Sequence, residues 1–299
     1  MTTMQVSERI ALSNILFLTD FSDASESALP FAIALARKYE ARVHALHILI
    51  PDPYAYMAPD MAACAIEGQE EVAHTELQRL EARLSGIAHE ANVIRGSSVW
   101  PVAKRAIEES RADLIVVGTH GRTGPQKLLL GSVAEEIFRQ SPIPVLTIGP
   151  WVRNAIHGGG NFHRVLFATD FTPDSLASAP YAISMALENE ARLTLLHVIQ
   201  KTPRDRRRRP TETSVATAMH DLLAIVPPDA SAACRPEAIV EYGEPAEKIL
   251  YVANQQAADL IVLGVRGTEY SVGAAVHLGR NTAHRVVAHA RCPVLSVRG

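Results

Sequence analysis

The residues of the first half that suggest chemistry lie around one glycine-rich loop. The chain reads Gly118-Thr119-His120-Gly121 and, after nine intervening residues, Gly131-Ser132-Val133. This loop follows the apolar run Leu114–Val117, which is typical of a buried strand, and precedes a helical pattern. Glycines let the backbone approach a phosphate closely, and the free N–H groups at a helix N-terminus favour an anion. The spacing therefore predicts a phosphate-binding loop built from backbone N–H groups.

Two parts of this pattern also have a purely structural interpretation. Ser132–Glu135 matches a capping box, in which Ser132 would only begin its helix. Thr19-Asp20-Phe21 ends the first apolar run, at the edge where open parallel sheets bind ligands. Asp20 would accept a hydrogen bond there from an adenine amino group or a ribose, or it would act as a turn residue before the N-cap of the next helix.

Three other groups of residues also have both a structural and a functional interpretation. We expect His47 and His197, near the ends of two strands, to be satisfied and partly buried rather than catalytic. His284 and His289 share a predicted helix but have no neighbouring carboxylate in sequence, so we predict no metal site. Arg204–Arg209 predicts a solvated basic loop, with contact to an acidic partner or nucleic acid as the alternative.

Several motifs of catalysis are absent from the sequence. There is no G-x-x-x-x-G-K-[ST] for P-loop hydrolysis, and no G-x-G-x-x-G follows the first strand as in nicotinamide enzymes. H-E-x-x-H and G-x-S-x-G are missing as well. No set of nucleophile, base and orienting group can be assembled, so we predict no catalytic residues.

The elements that must position these residues occur twice. Two stretches align without a gap at an offset of 150, with about fifteen of thirty-six positions identical. Three matched segments in the same order indicate one domain fold used twice. The segments are residues 14–49 with 164–199, Asp113–Gly118 with Asp259–Gly264, and Pro144–Leu146 with Pro293–Leu295.

Each half alternates short apolar runs with helical patterns, such as the helix predicted over Val72–Leu84. Ser22 and its counterpart Thr172 are predicted N-caps, and Pro173 suits a first helical turn. Alternating strands and helices with continuous apolar strands predict a parallel sheet covered on both faces. The sequence thus predicts two tandem doubly wound α/β domains, with domain 1 at 1–149, a linker at 150–163 and domain 2 at 164–299.

Composition restricts the class of protein. The 29 Lys and Arg residues against 32 Asp and Glu residues give a net charge of −3, so no global positive field favours nucleic acid or membrane surfaces. No apolar run approaches the ~18 residues of a membrane helix, and residues 1–13 lack the apolar region of a secretion signal. Three widely spaced cysteines suit a reducing compartment. We therefore expect a cytoplasmic protein.

The quoted motifs resemble those of the universal stress protein family. The resemblance is carried by TDFS at residues 19–22, LHI at 46–48, DLIVVG at 113–118 and the G-x2-G-x9-G-S spacing, and it covers both halves. It implies a fold like that of adenine nucleotide alpha hydrolases, with strand order 3-2-1-4-5. It also implies pairing of the two domains through their last strands, and a homodimer of the whole chain is compatible with it.

The resemblance also implies an ATP site in the first domain, with Mg²⁺ as a possible companion of the nucleotide. In ATP-binding members, adenine lies beside the aspartate after strand one and the phosphates lie on the glycine loop. Carried over by position, the adenine side is Leu18, Thr19, Asp20 and Ile48, and the ribose and phosphate side is Val117, Gly118, His120, Gly121, Arg122, Gly131, Ser132 and Val133.

The second half departs from the pattern. The glycine that could stand in for Gly131 there is Gly279, which follows Gly267 after eleven intervening residues instead of nine. Alignment back from Pro293 places Arg280 and Asn281 opposite Gly131 and Ser132, and a side chain there would obstruct a phosphate. We expect a degenerate second site, which would comprise Asp170, Val198, Gly264, Arg266, Gly267, Arg280 and Asn281, with Arg285 as a further cation.

The sequence favours a stress-response protein that binds ATP in its first domain and acts as a nucleotide-dependent sensor or regulator. One alternative is a slow ATPase that uses His120, Asp20 and Arg122. The other is a nucleotide-independent interaction module that uses the Arg204–Arg209 loop or other exposed faces. Bound nucleotide would separate the first two hypotheses from the third.

Overall fold

A computed structural model of the chain describes residues 10–50, 59–119, 131–152, 161–200, 211–265 and 282–299, with residues 59–66 and 132 described by their backbone alone. The chain divides into two compact units that centre on residues 12–148 and 161–299. The predicted residues His120, Gly121, Arg122, Arg266, Gly267, Arg280 and Asn281 lie outside the described residues, as does the Arg204–Arg209 run.

The first unit is a five-stranded parallel sheet with helices between successive strands. Its strand order is β3-β2-β1-β4-β5, and all its pairs are parallel. This order confirms the predicted fold. In chain order its elements are β1 (Asn14–Thr19), α1 (Asp23–Tyr39), β2 (Arg42–Leu49), α2 (Pro59–Arg83), β3 (His89–Arg95), α3 (Val99–Ser110), β4 (Leu114–Gly118), α4 (Ser132–Gln140) and β5 (Val145–Ile148).

The second unit repeats the arrangement in the order β8-β7-β6-β9-β10, again with parallel pairs. The predicted Thr172 cap is confirmed, and Pro173 occupies the first turn. The elements are β6 (Arg164–Thr169), α5 (Pro173–Leu176), α6 (Ala179–Glu188), β7 (Arg192–Gln200), α7 (Glu212–Ile225), α8 (Pro228–Cys234), β8 (Glu237–Gly243), α9 (Pro245–Gln255), β9 (Leu260–Val265), α10 (Thr282–His289) and β10 (Val294–Arg298).

The central strands are buried on both faces, as their continuous apolar sequences require. In β1 every side chain from Ile15 to Thr19 is buried, and β4 is buried from Leu114 to Val117. Such strands lie in the middle of a sheet that helices cover on both sides. The β1–β4 pair is also the point where the winding of the chain reverses, because β2 and β3 follow on one side of β1 and β5 lies beyond β4.

Helix α2 begins at Pro59, much earlier than the predicted start at Val72. Proline suits the first position of a helix, and the following residues include three alanines, the strongest helix formers. Residues 61–66 are continuously apolar, so they show no helical periodicity in the sequence.

The repeat extends to irregular backbone positions. Three pairs of non-glycine residues have positive φ at corresponding places in the two halves. Since such conformations are uncommon outside glycine, their recurrence shows that the turns themselves are part of the repeated fold. The pairs are Phe21 with Phe171 (φ 57° and 61°), Glu40 with Glu190 (53° and 50°), and Arg111 with Ala257 (51° and 47°).

The aspartate of each DLIV segment fastens the start of the central strand. The Asp113 Oδ2 atom accepts hydrogen bonds from the backbone N–H groups of Ser13 at 2.7 Å and Asn14 at 2.9 Å. In the second unit, Asp259 accepts from His163 at 2.7 Å and Arg164 at 2.9 Å. These carboxylates therefore hold β1 against β4, and β6 against β9, at the edge opposite the predicted ligand site.

The glycine that ends each segment is required by close packing. A Cβ on Gly118 would lie 2.3 Å from the Ala24 carbonyl oxygen in α1, and one on Gly264 would lie 2.4 Å from the Asp174 carbonyl oxygen. Both partners are backbone atoms at the start of the helix that follows the central strand. The glycine thus allows that helix to begin directly against the neighbouring strand.

Replacement of Asp113 by alanine should destabilise the first domain by about 1 kcal/mol, because two backbone N–H groups lose their acceptor. Asp113→Asn, which keeps one side-chain carbonyl as an acceptor, should lose less. Urea unfolding followed by the fluorescence of Trp100 in α3, in a Trp151→Phe background, measures this domain. Unchanged stability of Asp113→Ala would contradict the fastening role.

Gly118→Ala should destabilise the same domain by about 1–3 kcal/mol, because the new methyl group overlaps backbone that cannot move independently. Gly68→Ala is the matched control, since a Cβ on this glycine of α2 meets nothing within 4 Å and alanine favours the helix. The same Trp100 unfolding assay should separate the two variants in opposite directions. A Gly118→Ala protein as stable as the parent would refute the packing requirement.

Candidate functional site

The turn after β1, residues Thr19–Ser22, is fixed by a hydrogen-bond network; we name it the Asp20 turn. Thr19 Oγ1 accepts from the Phe21 N–H at 3.0 Å and donates to Ser25 Oγ at 3.1 Å. Asp20 Oδ1 accepts from the N–H and from the hydroxyl of Ser22 at 3.0 and 2.5 Å. The network holds Phe21 in its left-handed conformation and fixes one carboxylate oxygen of Asp20.

Asp20 therefore has the turn function that its sequence position allowed. Ser22 is the N-cap of α1, and its hydroxyl accepts from the Ser25 N–H, as predicted. Among the described residues, the Oδ2 atom of Asp20 makes no hydrogen bond. The structural role thus uses one carboxylate oxygen and leaves the other as an acceptor beside the carboxyl end of β1.

His47, a residue of β2, contacts the Asp20 turn. Its Nδ1 atom lies 2.8 Å from the Thr19 carbonyl oxygen, and its ring centroid lies 4.5 Å from that of Phe21 at an interplanar angle of 34°. A carbonyl oxygen only accepts hydrogen bonds, so Nδ1 carries a proton. The histidine is satisfied and partly buried, in agreement with the sequence interpretation.

The second domain contains the same turn, Thr169–Thr172, which we name the Asp170 turn. Thr169 Oγ1 accepts from Phe171 at 2.9 Å, and Asp170 Oδ1 accepts from the N–H and hydroxyl of Thr172 at 3.1 and 2.5 Å. His197 Nδ1 lies 2.9 Å from the Thr169 carbonyl oxygen, with its ring 4.6 Å from Phe171. The geometry of this part of the site is thus common to both domains.

The glycine loop of the first domain is described at its two ends. The Thr119 N–H donates to the Ile148 carbonyl at 3.0 Å, and the Gly131 N–H donates to the Thr119 carbonyl. These hydrogen bonds therefore join the two ends of the loop to each other and to the end of β5, next to the end of β4. Because its N–H is used in this contact, Gly131 contributes its small size and its position at the helix start.

Helix α4 begins at Ser132, with Gly131 as its N-cap. The capping-box interpretation placed Ser132 at the N-cap, and the structure moves it one position into the helix. A glycine cap has no side chain to accept from the first-turn N–H groups. This end of α4 thus lacks a side-chain cap, and its dipole favours an anion.

The remaining residues of the predicted first site lie along the same three strands. Leu18 and Val117 are paired neighbours on β1 and β4 and are each 3% exposed. Ile48 lies one residue from the end of β2 and is half-buried. The structure thus brings Leu18, Thr19, Asp20, Ile48, Val117, Gly118, Gly131, Ser132 and Val133 to the carboxyl edge of β1, β2 and β4.

The second domain differs from the first at the starts of its helices α9 and α10. Arg285 of α10 forms an ion pair with Glu244, the N-cap of α9, at 2.7 Å, and its other terminal nitrogen lies 3.7 Å from Glu247. The position opposite Glu244 in the first domain is Ser98, the N-cap of α3, which makes no side-chain capping bond. Arg285, which the sequence suggested as a further cation for an anion, is therefore paired within the protein.

Asp170 and Val198 keep the positions expected for the base side of a second site. Asp170 is exposed and Val198 is half-buried, and Val198 lies on β7 beside Glu241 of β8. Gly264 lies near the end of β9, where the close approach of the Asp174 backbone leaves no room for a side chain. The described part of the predicted degenerate site thus retains its turn, while Arg285 is engaged in ion pairs.

No three or more His, Cys, Asp and Glu side chains of the described residues gather in a way that suits a metal ion. Over the same parts of the chain, no helix combines the length and apolar content that crossing a bilayer requires.

Sequence reasoning missed the way His47 and Phe21 hold Asp20. Both residues recur at the offset of 150, as His197 and Phe171, so the signal was present in the repeat. The identity between the halves indicates a common fold, but it does not show that His47 contacts Phe21. That contact depends on the pairing of β1 with β2, which only the three-dimensional structure shows.

Known proteins share this architecture. A universal stress protein of Methanocaldococcus jannaschii is 31% identical over 140 residues, 45% of this chain and 80% of its own length. One from Thermus aquaticus is 35% identical over 136 residues, 45% of this chain and 96% of its own length. The crystal structure of a universal stress protein from Archaeoglobus fulgidus matches with a TM-score of 0.67 at 23% identity, and covers 95% of this chain and 98% of its own.

The family model of the universal stress protein family matches the chain twice, at residues 12–149 and at residues 161–298. The two matches cover both compact units, each with the strand order that the resemblance implied. The chain therefore belongs to the universal stress protein family and carries two of its domains in tandem.

Proposed function

We propose that the chain binds ATP in its N-terminal domain, at the carboxyl edge of β1 and β4. The observation that carries the proposal is the convergence of a carboxylate and a helix N-terminus at the point where the sheet reverses its winding. Open α/β sheets bind ligands at such a point. Asp20 would bind the base or ribose, and α4 would bind the phosphates.

The base side of the proposed site rests on the Asp20 turn. Asp20 Oδ1 is already used by Ser22, so Oδ2 is the oxygen available to accept from an adenine amino group or a ribose hydroxyl. Ile48 supplies apolar surface at the neighbouring strand end. A carboxylate fixed before binding loses little freedom when it meets the ligand, which favours affinity.

The phosphate side rests on the start of α4. Because the Gly131 N–H donates to Thr119, we assign the phosphate contacts to the N–H groups of Ser132 and Val133, beyond the glycine. Gly131 would serve as the residue without a Cβ next to the phosphates. Mg²⁺ would enter with ATP as its counterion.

The second domain is proposed to bind ATP weakly or not at all. Its turn has the same geometry, but Arg280 stands in the sequence where Gly131 stands in the first half. Arg285, a cation of α10, is paired with Glu244 and Glu247 and would have to leave them to reach a phosphate. We therefore propose one strong site per chain.

We propose that occupancy of this site acts as a signal in a cytoplasmic stress response. The slow ATPase alternative uses His120, Asp20 and Arg122, and the interaction alternative uses Arg204–Arg209 or other exposed faces. His120, Arg122 and Arg204–Arg209 lie outside the described residues, so both alternatives stay predictions. Pairing of the domains through their last strands and a dimer of the whole chain likewise stay predictions.

Gly131→Arg copies the second domain into the first and should abolish ATP binding, because a long side chain would occupy the space of the phosphates. Gly68→Arg is the matched control: it adds the same side chain to an exposed helix glycine with nothing near its Cβ. Isothermal titration with Mg-ATP should give one site per chain for the parent and the control.

Two equal, tight sites per chain would contradict the proposed inequality of the domains. Unchanged affinity in Gly131→Arg would show that the phosphates bind elsewhere. Circular dichroism of each variant distinguishes loss of binding from loss of fold.

A further inference from the structure

His47 lies outside the set of residues proposed to contact ATP, yet it fixes the turn that carries Asp20. Its Nδ1–H donates to the Thr19 carbonyl, the last residue of β1, at 2.8 Å. Residue 19 pairs with residue 47 across β1 and β2, so the hydrogen bond joins two strand ends at the residue before Asp20.

The turn needs such support because its backbone is strained. Phe21 is a non-glycine residue with a φ of 57°, a conformation that costs about 1 kcal/mol or more and persists only where the surroundings impose it. Two contacts impose it here: the hydrogen bond from the Phe21 N–H to Thr19 Oγ1 and the packing of the Phe21 ring on His47. His47 therefore acts on both residues that flank Asp20.

We propose that His47 is the positioning residue of the ATP site, and that it acts by holding Asp20 in the orientation that binds the base or ribose. The proposal rests on the proposed function, because it assumes that Asp20 contacts the nucleotide. When the turn populates other conformations, the apparent affinity falls by the fraction of molecules in which Asp20 is correctly placed.

The chain contains its own control for this proposal. His197 makes the same contacts in the second domain, to Thr169 at 2.9 Å and to Phe171 at 4.6 Å between ring centroids. A substitution at His197 thus causes the same local change in a domain proposed not to bind ATP strongly. Asp113 at the opposite edge of the first sheet provides a second control, because its loss weakens the domain away from the turn.

The test measures ATP affinity by titration, and unfolding by urea, for four full-length variants. His47→Phe keeps an aromatic ring but removes the donor, and it should weaken ATP binding roughly tenfold, the factor that about 1.4 kcal/mol represents. His47→Asn keeps a donor near the position of Nδ1 and should restore affinity to within about threefold. His197→Phe and Asp113→Ala should lower stability but leave ATP affinity unchanged.

Each outcome decides one question. If the parent protein binds no ATP, the proposed function fails. If the parent binds ATP and His47→Phe binds it equally well, or if Asp113→Ala loses as much affinity as His47→Phe, or if His47→Asn restores nothing, the positioning role is wrong. Should His47→Phe not fold, Phe21→Leu removes the ring contact instead and should weaken ATP binding by about threefold, with Phe171→Leu as a control that leaves the affinity unchanged; equal affinities in the two variants would contradict the positioning role.

Discussion

The position of Asp20 depends on how Thr19 ends the central strand. The Thr19 hydroxyl and carbonyl together bind the backbone of Phe21, the hydroxyl of Ser25 and the ring of His47. These contacts force a left-handed residue between β1 and α1, which turns the chain sharply enough for α1 to start against β4. The close approach of Ala24 to Gly118 follows from that start. One turn therefore determines the packing of the central strands and the shape of the ligand edge.

The two domains share this constraint and differ around it. Asp113 and Asp259 fasten the central strands in the same way, and Gly118 and Gly264 allow the same close packing. The residues that are identical between the halves are thus explained largely by folding. The differences lie at the starts of the helices, where Gly131 caps α4 in one domain and Arg285 binds Glu244 in the other.

This division explains what could be predicted from the sequence. Apolar strands such as Leu114–Val117 could be predicted because strands buried on both faces are continuously apolar in sequence. The helix starts at Ser22 and Thr172 could be predicted because N-capping uses hydrogen bonds between residues that are close in sequence. The early start of α2 at Pro59 was missed, because residues 61–66 are continuously apolar and show no helical periodicity in the sequence. The role of His47 was missed because it depends on the pairing of β1 with β2. The hydrogen bond of the Gly131 N–H was missed because it depends on how the two ends of the loop meet at Thr119.

We propose that one scaffold, built twice, offers one strong site for ATP per chain. Mass spectrometry of the purified chain under native conditions, followed by identification of the small molecules that it releases, tests this proposal. We predict one adenine nucleotide per chain, released on unfolding. Two nucleotides per chain, or no nucleotide even after incubation with Mg-ATP, would contradict it.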